Sequence, residues 1–279
     1  MIYEEYDASP ALAPFVDRLW ALEGAAESAG VDPILPDGHA EIIVHAGDPF
    51  VHIAADGRAE RQERLLVSGQ LTRAIQVAAS GETRVVGARF RPGGLHALLG
   101  LPQHELTDQV TPLPGVHARL ARVIADDVCG RHERRDLVAA LDRALCAIAP
   151  GRADRSPADA AAALALGRRG LVRVGDLALR TGLSPRQLER LFRDRVGVSP
   201  KLFLRIVRFQ EVLGALRSGR APAGWAEVAA THGYYDQAHF VHDFKAFTGT
   251  TPAAWQVGDD SLTAVFSAIR RNSRPVAIK

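Results

Sequence analysis

The sequence predicts an α+β protein with a β-rich N-terminal part and an all-α C-terminal part. Up to about residue 110, short β-branched runs alternate with turn signals such as Asp56-Gly57. From Val116 onward the apolar residues take helical spacing instead. A stretch of the helical part also occurs twice, and such an internal repeat rarely arises by chance.

The N-terminal strands are expected to form an antiparallel barrel or sandwich, because several short strands at regular spacing are typical of those architectures. The predicted strands cover residues 40–46, 51–54, 65–67, 74–78 and 83–90.

Two helices with one apolar stripe each are predicted next. The first stripe is Leu120, Val123, Ile124 and Val128, and the second is Leu137, Leu141, Ala144, Leu145 and Ile148. Such a hairpin either makes a dimer contact through its apolar face or packs against the strands. Both alternatives remain open at this point.

We divide the chain into four segments. Residues 1–150 form a sensing or dimerisation domain, and the polar, Pro- and Gly-bearing residues 151–157 form a linker. Residues 158–256 form a helical domain, and residues 257–279 form a C-terminal tail.

The net charge of +2 hides a difference between these segments. Residues 1–154 carry an excess of seven acidic residues, and residues 155–256 carry an excess of seven basic ones. Because Lys and Arg release counterions when they contact phosphates, the helical domain is the part expected to meet a polyanion.

Several classes of protein are not expected. Cys129 and Cys146 have no second pair, which excludes a disulfide framework and a CxxC metal site. No secretory signal or apolar membrane span is present, so we expect a cytoplasmic protein. Motifs of hydrolases, zinc proteases and nucleotide-binding proteins are missing, so we expect neither catalysis nor a cofactor.

The repeat relates residues 176–203 to residues 228–255. Gly182 matches Gly233 at an offset of 51, whereas Phe192 matches Phe244 at an offset of 52. The second copy therefore has one extra residue in its turn. In each copy a glycine suited to a helix C-terminus precedes a new N-cap, as a helix-turn-helix unit requires.

The second helix of each copy has a polar face. Arg and Gln side chains can pair with guanine and adenine edges, and apolar side chains can meet a thymine methyl group. The alternative is an ordinary solvated helix face. The predicted DNA-contacting residues are Arg186, Gln187, Arg190 and Arg193 in the first copy, and Gln237, Ala238, Val241, His242 and Lys245 in the second.

One continuous helix is predicted between the two units, over Pro200–Arg217. At 1.5 Å per residue it spans about 27 Å, which suits two recognition helices one DNA turn apart. Arg205, Arg208 and Arg217 on this helix are either phosphate contacts or ion-pair partners.

The runs GYYDQAHFVHDFKAFTGTTPAAW and GLSPRQLERLFRDRVGVSP resemble the AraC/XylS family of transcriptional regulators over residues 158–256. The resemblance implies two three-helix subdomains with both second helices in successive major grooves of double-stranded DNA. RNA polymerase is a further expected partner. The family often carries Arg where this chain has His242, so base contact by the second unit would weaken as pH rises if His242 binds in its charged form.

The runs LPDGHAEIIVH, SGQLTRAIQV and VVGARFRPGG resemble an uncharacterised N-terminal domain of some such regulators, which is similar to a cupin-like half-barrel. The resemblance implies a domain that senses a small-molecule effector or forms a homodimer.

Two groups in this domain are candidate sites. His39, Glu41 and His45 share one face of a strand, and His52 follows on the next; they either bind a divalent metal or line a polar strand face. Arg89 and Arg91 either clamp an anionic effector or make surface ion pairs. We take His39, Glu41, Arg89 and Arg91 as the candidate effector residues.

The leading hypothesis is a sequence-specific DNA-binding regulator controlled by an effector in its N-terminal domain. A metal-binding or catalytic cupin-like protein with an accessory DNA-binding domain is the alternative. A protein-interaction adaptor that does not bind DNA is the third possibility.

Overall fold

The computed structural model describes residues 1–25, 30–128, 130–151, 156–218, 224–255 and 276–277. Cys129 and most of the predicted tail at 257–279 lie outside the described residues. Within them, strands precede helices, so the predicted α+β class is confirmed.

The N-terminal strands form two antiparallel sheets. The strands are β1 Ile2–Tyr6, β2 Val16–Ala25, β3 Val31–Ile34, β4 Glu41–His45, β5 Val51–Ile53, β6 Ala59–Arg61, β7 Leu65–Ser68, β8 Ile75–Ala78, β9 Glu82–Phe90 and β10 Val110–Pro112, with β11 Val276–Ala277 pairing from the far end of the chain. The larger sheet has the order β10-β7-β4-β9-β2-β1-β11, and the smaller has the order β3-β8-β5-β6.

Helices follow the strands. They are α1 Gly94–Leu99, a short 3-10 helix Gln103–Leu106, α2 Leu113–Val116, α3 Ala118–Val128, α4 Arg134–Cys146, α5 Pro157–Gly167, α6 Val174–Thr181, α7 Pro185–Val196, α8 Pro200–Arg217, α9 Trp225–Thr231 and α10 Gln237–Thr248.

Strand β4 lies inside the larger sheet and sends side chains to both of its faces. Ile42 and Val44 are buried in the main core on one face. Glu41, Ile43 and His45 alternate with them and therefore lie on the other face. This alternation places two polar side chains in the interior between the two sheets.

Gly87 of β9 pairs with Trp20 of β2 in the larger sheet. A Cβ atom at this position would lie 2.3 Å from the indole ring of Trp20. A side chain of any size at position 87 would therefore displace Trp20, which forms part of the same interior.

The helical hairpin packs against the strand domain of its own chain. Leu120, Ile124, Leu137 and Leu141 are fully buried in the core that contains β2, β4 and β9. Of the two alternatives for this apolar face, the structure favours packing, because these side chains are covered within one chain.

Helix α8 has the predicted bounds and belongs to two hydrophobic cores. Phe203 and Val207 pack with α5, α6 and α7, whereas Phe209 and Val212 pack with α9 and α10. The two groups meet in the middle of the helix, where Ile206 of the second core precedes Val207 of the first, so α8 fixes the position of each helix-turn-helix unit relative to the other.

Hydrogen bonds also join the strand domain to the helical domain. Gln210 of α8 donates its side-chain amide to the carbonyl oxygen of Pro36 at 2.6 Å. Thr107 donates its hydroxyl to the carbonyl oxygen of Gly197 at the end of α7, also at 2.6 Å. The Ala74 amide donates to the carbonyl oxygen of Phe247 in α10 at 2.9 Å. The strand domain thus contacts α7, α8 and α10.

Candidate nucleic-acid interface and inner cavity

The first helix-turn-helix unit consists of α6 and α7. Helix α6 ends at Gly182, whose φ of 69° lies in the left-handed region that favours glycine. Ser184 then caps α7, and Gln187 completes a capping box with it. Buried Leu188 and Phe192 hold α7 on the core, which leaves its opposite face to solvent.

All four predicted contact residues on α7 are exposed: Arg186, Gln187, Arg190 and Arg193. The side-chain oxygen of Gln187 accepts from the Ser184 amide at 2.9 Å and from its hydroxyl at 2.8 Å. Pairing with adenine needs both the oxygen and the amide group of a glutamine. While the cap is intact, Gln187 therefore offers only its amide hydrogens, which suit an acceptor on a base or a phosphate.

The second unit, α9 and α10, repeats this geometry. Gly233 has a φ of 73°, and the Asp236 carboxylate caps α10 by accepting from the His239 amide at 2.7 Å. The predicted residues Gln237, Ala238, His242 and Lys245 are exposed, whereas Val241 is half-buried and packs against the core.

The extra residue of the second turn is Tyr235. The amides of Leu183 and Tyr234 make equivalent bonds, to the carbonyl oxygens of Ala178 and Ala229, each at 3.0 Å. The equivalent caps Ser184 and Asp236 come next in each copy, which leaves Tyr235 without a counterpart. It is 92% exposed at the start of α10. The shift in offset indicated an inserted residue but not which one.

Two arginines of α8, Arg205 and Arg208, make contacts inside the protein. Arg205 binds the buried Asp243 carboxylate through two nitrogens, the shorter distance being 2.7 Å. Arg208 donates to the Gly170 carbonyl oxygen at 3.2 Å and lies over the Tyr234 ring. The sequence left open whether Arg205 contacts phosphate or makes an ion pair. The structure shows it as an ion-pair partner.

A cavity of about 80 Å³ lies between the two sheets and reaches α8. We call it the inner cavity. Its walls are mostly apolar and include Trp20, Phe50 and Val85. Its polar lining residues are Asp37, His39, Glu41, His45, Gln62, Ser68, Arg89 and Gln210.

Arg89 is surrounded by carboxylates in this cavity. Its side chain is 3% exposed, and its guanidinium lies 3.0 Å from Glu41, 3.5 Å from Glu5 and 3.7 Å from Asp37. Strand pairing brings Arg89 opposite Glu41, whereas Glu5 and Asp37 arrive from distant parts of the chain.

Arg91 lies in a different place. Its guanidinium donates to the Ala13 carbonyl oxygen at 2.9 Å and lies 3.5 Å from the Asp17 carboxylate. It lines an outer groove of about 640 Å³ between the strand domain and α5. The structure therefore does not place Arg89 and Arg91 in one clamp, and Arg91 makes the surface ion pair that was the alternative.

The predicted His/Glu set is not arranged as a metal site. His39 and Glu41 bind other protein groups, the Phe90 carbonyl oxygen and Arg89 respectively. His52 lies outside the lining of the inner cavity. In the described part of the chain, no group of three or more His, Cys, Asp or Glu side chains is placed to hold a metal ion.

Comparison with known families decides what the repeated unit is. A family model described as a helix-turn-helix domain matches residues 177–257, which include α7, α8, α9 and α10 and most of α6. The helical part of the protein is therefore an AraC-type helix-turn-helix domain. DNA binding through its C-terminal domain follows from this assignment.

The N-terminal part of the chain matches a second model. That model is a domain of unknown function, DUF6597, over residues 4–112. No curated protein matches the chain. None of the helices formed by the described residues is long and apolar enough to span a membrane.

Solved structures similar to the chain include ToxT from Vibrio cholerae. One ToxT structure is 9% identical with a TM-score of 0.46, and the match covers 91% of this chain and 99% of that chain. A ToxT structure with bound unsaturated fatty acid is 9% identical with a TM-score of 0.46, covering 84% and 93%. A third, bound to a methylnaphthalenyl butenoic acid, is 9% identical with a TM-score of 0.47, covering 89% and 98%.

Burial controls the protonation of two groups in the inner cavity. Burial lowers the pKa of His45 to about 4, against a smaller opposite effect of the Gln62 side chain. Burial raises the pKa of Glu41 to about 7, which the Arg89 charge opposes. Near neutral pH, His45 is therefore uncharged, and Glu41 is close to its midpoint.

These shifts act oppositely on stability. A lowered histidine pKa contributes stability that is present above about pH 6.5 and lost as pH falls towards 4. A raised glutamate pKa contributes stability that is present below about pH 4.5 and lost as pH rises towards 7. The two contributions cancel in part between these values.

We predict that His45→Leu removes the pH-dependent contribution of the histidine to stability and leaves that of Glu41. Relative to wild type, the variant should become more stable by about 2 kcal/mol when the pH falls from 7 to 4.5, because His45 of wild type takes up a proton in the unfolded chain but stays largely neutral in the folded protein. Urea unfolding at both pH values measures this change. A stability difference that is the same at both pH values would contradict the assignment.

Proposed function

We propose that α7 and α10 read duplex DNA through the residues predicted for them, with Tyr235 as an added contact. The observation that carries the proposal is the duplicated unit itself, in which a left-handed glycine and a side-chain cap precede an exposed polar helix face in both copies. The internal pairing of Arg205 supports placing the contacts on α7 and α10 and not on α8.

The two faces are proposed to have different roles. The α7 face presents Arg186, Arg190 and Arg193, which suit guanine edges and phosphates. The α10 face presents fewer charges and includes Ala238 and half-buried Val241, which suit the methyl group of thymine. We infer that the first unit contributes more of the salt-dependent affinity.

We predict that Arg190→Ala lowers the preference for the cognate site by roughly 1–3 kcal/mol, because the paired contact with a base edge is lost. The cognate site is obtained by selection from a random duplex library, and binding is measured for selected and random duplexes at one salt concentration. Arg119→Ala, an exposed arginine of α3, is the control and should leave the preference unchanged. Equal preferences in Arg190→Ala and wild type would remove Arg190 from base recognition.

For Tyr235, we predict that substitution by Ala weakens binding to the selected site by about two- to tenfold, the value of one or two lost hydrogen-bond or stacking contacts. Tyr235→Phe separates the hydroxyl from the ring, because only the hydroxyl can donate to a phosphate. Val31→Ala, at the exposed end of β3, serves as the control. If Tyr235→Ala binds as tightly as wild type, the inserted residue has no DNA contact.

We further propose that the inner cavity is the effector site and that it acts on α8. Residues 35–38 lie between the cavity and α8: Asp37 lines the cavity, and the Pro36 carbonyl oxygen accepts from Gln210. Leu35 packs in the same core as Phe209 and Phe244. A ligand that displaces this segment would therefore move a contact that holds both helix-turn-helix units.

A cavity-filling substitution tests this coupling. Ser68 is buried and lines the inner cavity opposite Glu41, so Ser68→Leu partly occupies the effector space. We predict a change in DNA affinity of at least about threefold, since filling the space favours one arrangement of the domains over the other.

Ala59→Leu, which adds an apolar side chain to exposed β6, is the control for Ser68→Leu and should not change DNA affinity. Circular dichroism and thermal unfolding establish that the variants are folded, and Ser68→Val provides a smaller substitution at the same place. Unchanged affinity in a folded Ser68→Leu protein contradicts the coupling.

The remaining assignments follow from this function. We propose that the protein acts without catalysis and that its working location is the cytoplasm, where a regulator meets its DNA. RNA polymerase and a second copy of the chain are its proposed protein partners. The proposed homodimer needs a surface other than the buried stripes of α3 and α4.

We propose the domain division 1–150, 151–157, 158–256 and 257–279. The separation of most buried apolar residues into cores before residue 150 and after residue 157 supports it. Leu35 and Ala74 are exceptions, because they pack in a core of the helical domain.

A further inference from the structure

We propose that the inner cavity binds a small molecule with a protonated amine or amidinium group and an apolar body. The inference rests on the proposed function, in which this cavity is the effector site, and it names the chemical class of the effector.

The charge balance of the cavity is the first observation. Two carboxylates, Asp37 and Glu41, line the cavity together with one guanidinium, that of Arg89. The same guanidinium also lies 3.5 Å from Glu5, which is in turn 3.9 Å from Arg18. Three carboxyl groups therefore surround the one guanidinium that contacts the cavity, and a bound cation would favour full ionisation of Glu41, which burial leaves only partly ionised near neutral pH.

An anionic ligand does not fit this arrangement. Its negative group would have to approach Arg89, where it would meet the carboxylates of Asp37 and Glu41 at close range in a site with little water to screen them. The second predicted arginine, Arg91, is in the outer groove and cannot compensate. A cation would instead be attracted by both carboxylates.

His45 provides the second, independent observation. It is 2% exposed and lines the inner cavity, and neither of its ring nitrogens makes a hydrogen bond of ordinary geometry, the Gln62 side chain being a polar neighbour that still affects its pKa. A buried polar group without a partner is costly, so such a group calls for a bound water or ligand. Four residues along β4 separate His45 from Glu41, about 13 Å in an extended strand.

The walls between these polar groups are apolar and therefore favour a ligand with an apolar body. Trp20 and Phe50 are aromatic, and Ile43 and Val85 are aliphatic. Aromatic faces attract cations and pack against apolar rings. The volume of about 80 Å³ restricts the ligand to a small molecule, on the scale of one ring with a short substituent.

Three probes with the same ring test the class: benzylammonium, benzyl alcohol and benzoate. Titration calorimetry on the full-length protein should show benzylammonium binding at least about tenfold more tightly than benzyl alcohol, the usual gain for a charge-assisted hydrogen bond. Benzoate should bind more weakly than both. Benzoate binding as tightly as benzylammonium, or no binding of benzylammonium, overturns the proposal.

Substitutions test whether benzylammonium binds in the inner cavity. Asp37→Asn should weaken benzylammonium binding by about tenfold and leave benzyl alcohol unchanged. Glu63→Gln removes the same charge from an exposed position of the same domain and should change neither. Benzylammonium binding that survives unchanged in folded Asp37→Asn and Ser68→Leu proteins lies outside the cavity and overturns the proposal.

Failure of the ligand class and failure of the effector role have different signatures. If Ser68→Leu changes DNA affinity while benzylammonium does not bind, the cavity still controls DNA binding and the cationic class is wrong. If benzylammonium binds and Asp37→Asn weakens it, while neither the probe nor Ser68→Leu changes DNA affinity, the class is right and the effector role is wrong.

Discussion

The sharing of α8 between two cores is the constraint on which the rest of the structure depends. Phe203 and Val207 face the first unit, and Phe209 and Val212 face the second, with no spare turn between them. A close-packed interior allows little sliding, so the helix cannot shift toward one unit without opening the other. The buried pair of Arg205 and Asp243 adds a directional contact between α8 and α10, because removing either partner would leave the other charge uncompensated.

The strand domain contacts α8, the end of α7 and α10, so it can act on both units. Each of the hydrogen bonds that we describe between the domains ends on a backbone carbonyl, at Pro36, Gly197 or Phe247. Each such bond contributes about 1 kcal/mol net, because water can replace either partner once the contact opens. Together with Leu35 and Ala74, which pack in the core of the second unit, these bonds give the junction a specific geometry, which suits the proposed coupling between the inner cavity and DNA binding.

The helical domain could be predicted from the sequence to a large extent because its signals are local. The paired glycines, the caps Ser184 and Asp236, and the apolar spacing of α8 each depend on residues within one or two helical turns. By contrast, β1 and β2 were not predicted. The burial pattern of β2 has four consecutive buried residues, Leu19 to Leu22, so it lacks the alternation by which a half-buried strand is recognised.

The inner cavity shows why a site of this kind resists prediction from sequence. Arg89 and Arg91 look equivalent along the chain, yet Arg91 follows the end of β9 and lies in the outer groove. Arg89 meets Glu41 across the sheet, Glu5 from an edge strand and Asp37 from a loop, and these approaches exist only once distant strands have paired. The sequence analysis expected the Arg89 guanidinium to bind an anionic effector. In the fold, that guanidinium is already neutralised by carboxylates of its own chain. Ligand preference at this site therefore follows from the sheet topology more than from any residue taken alone.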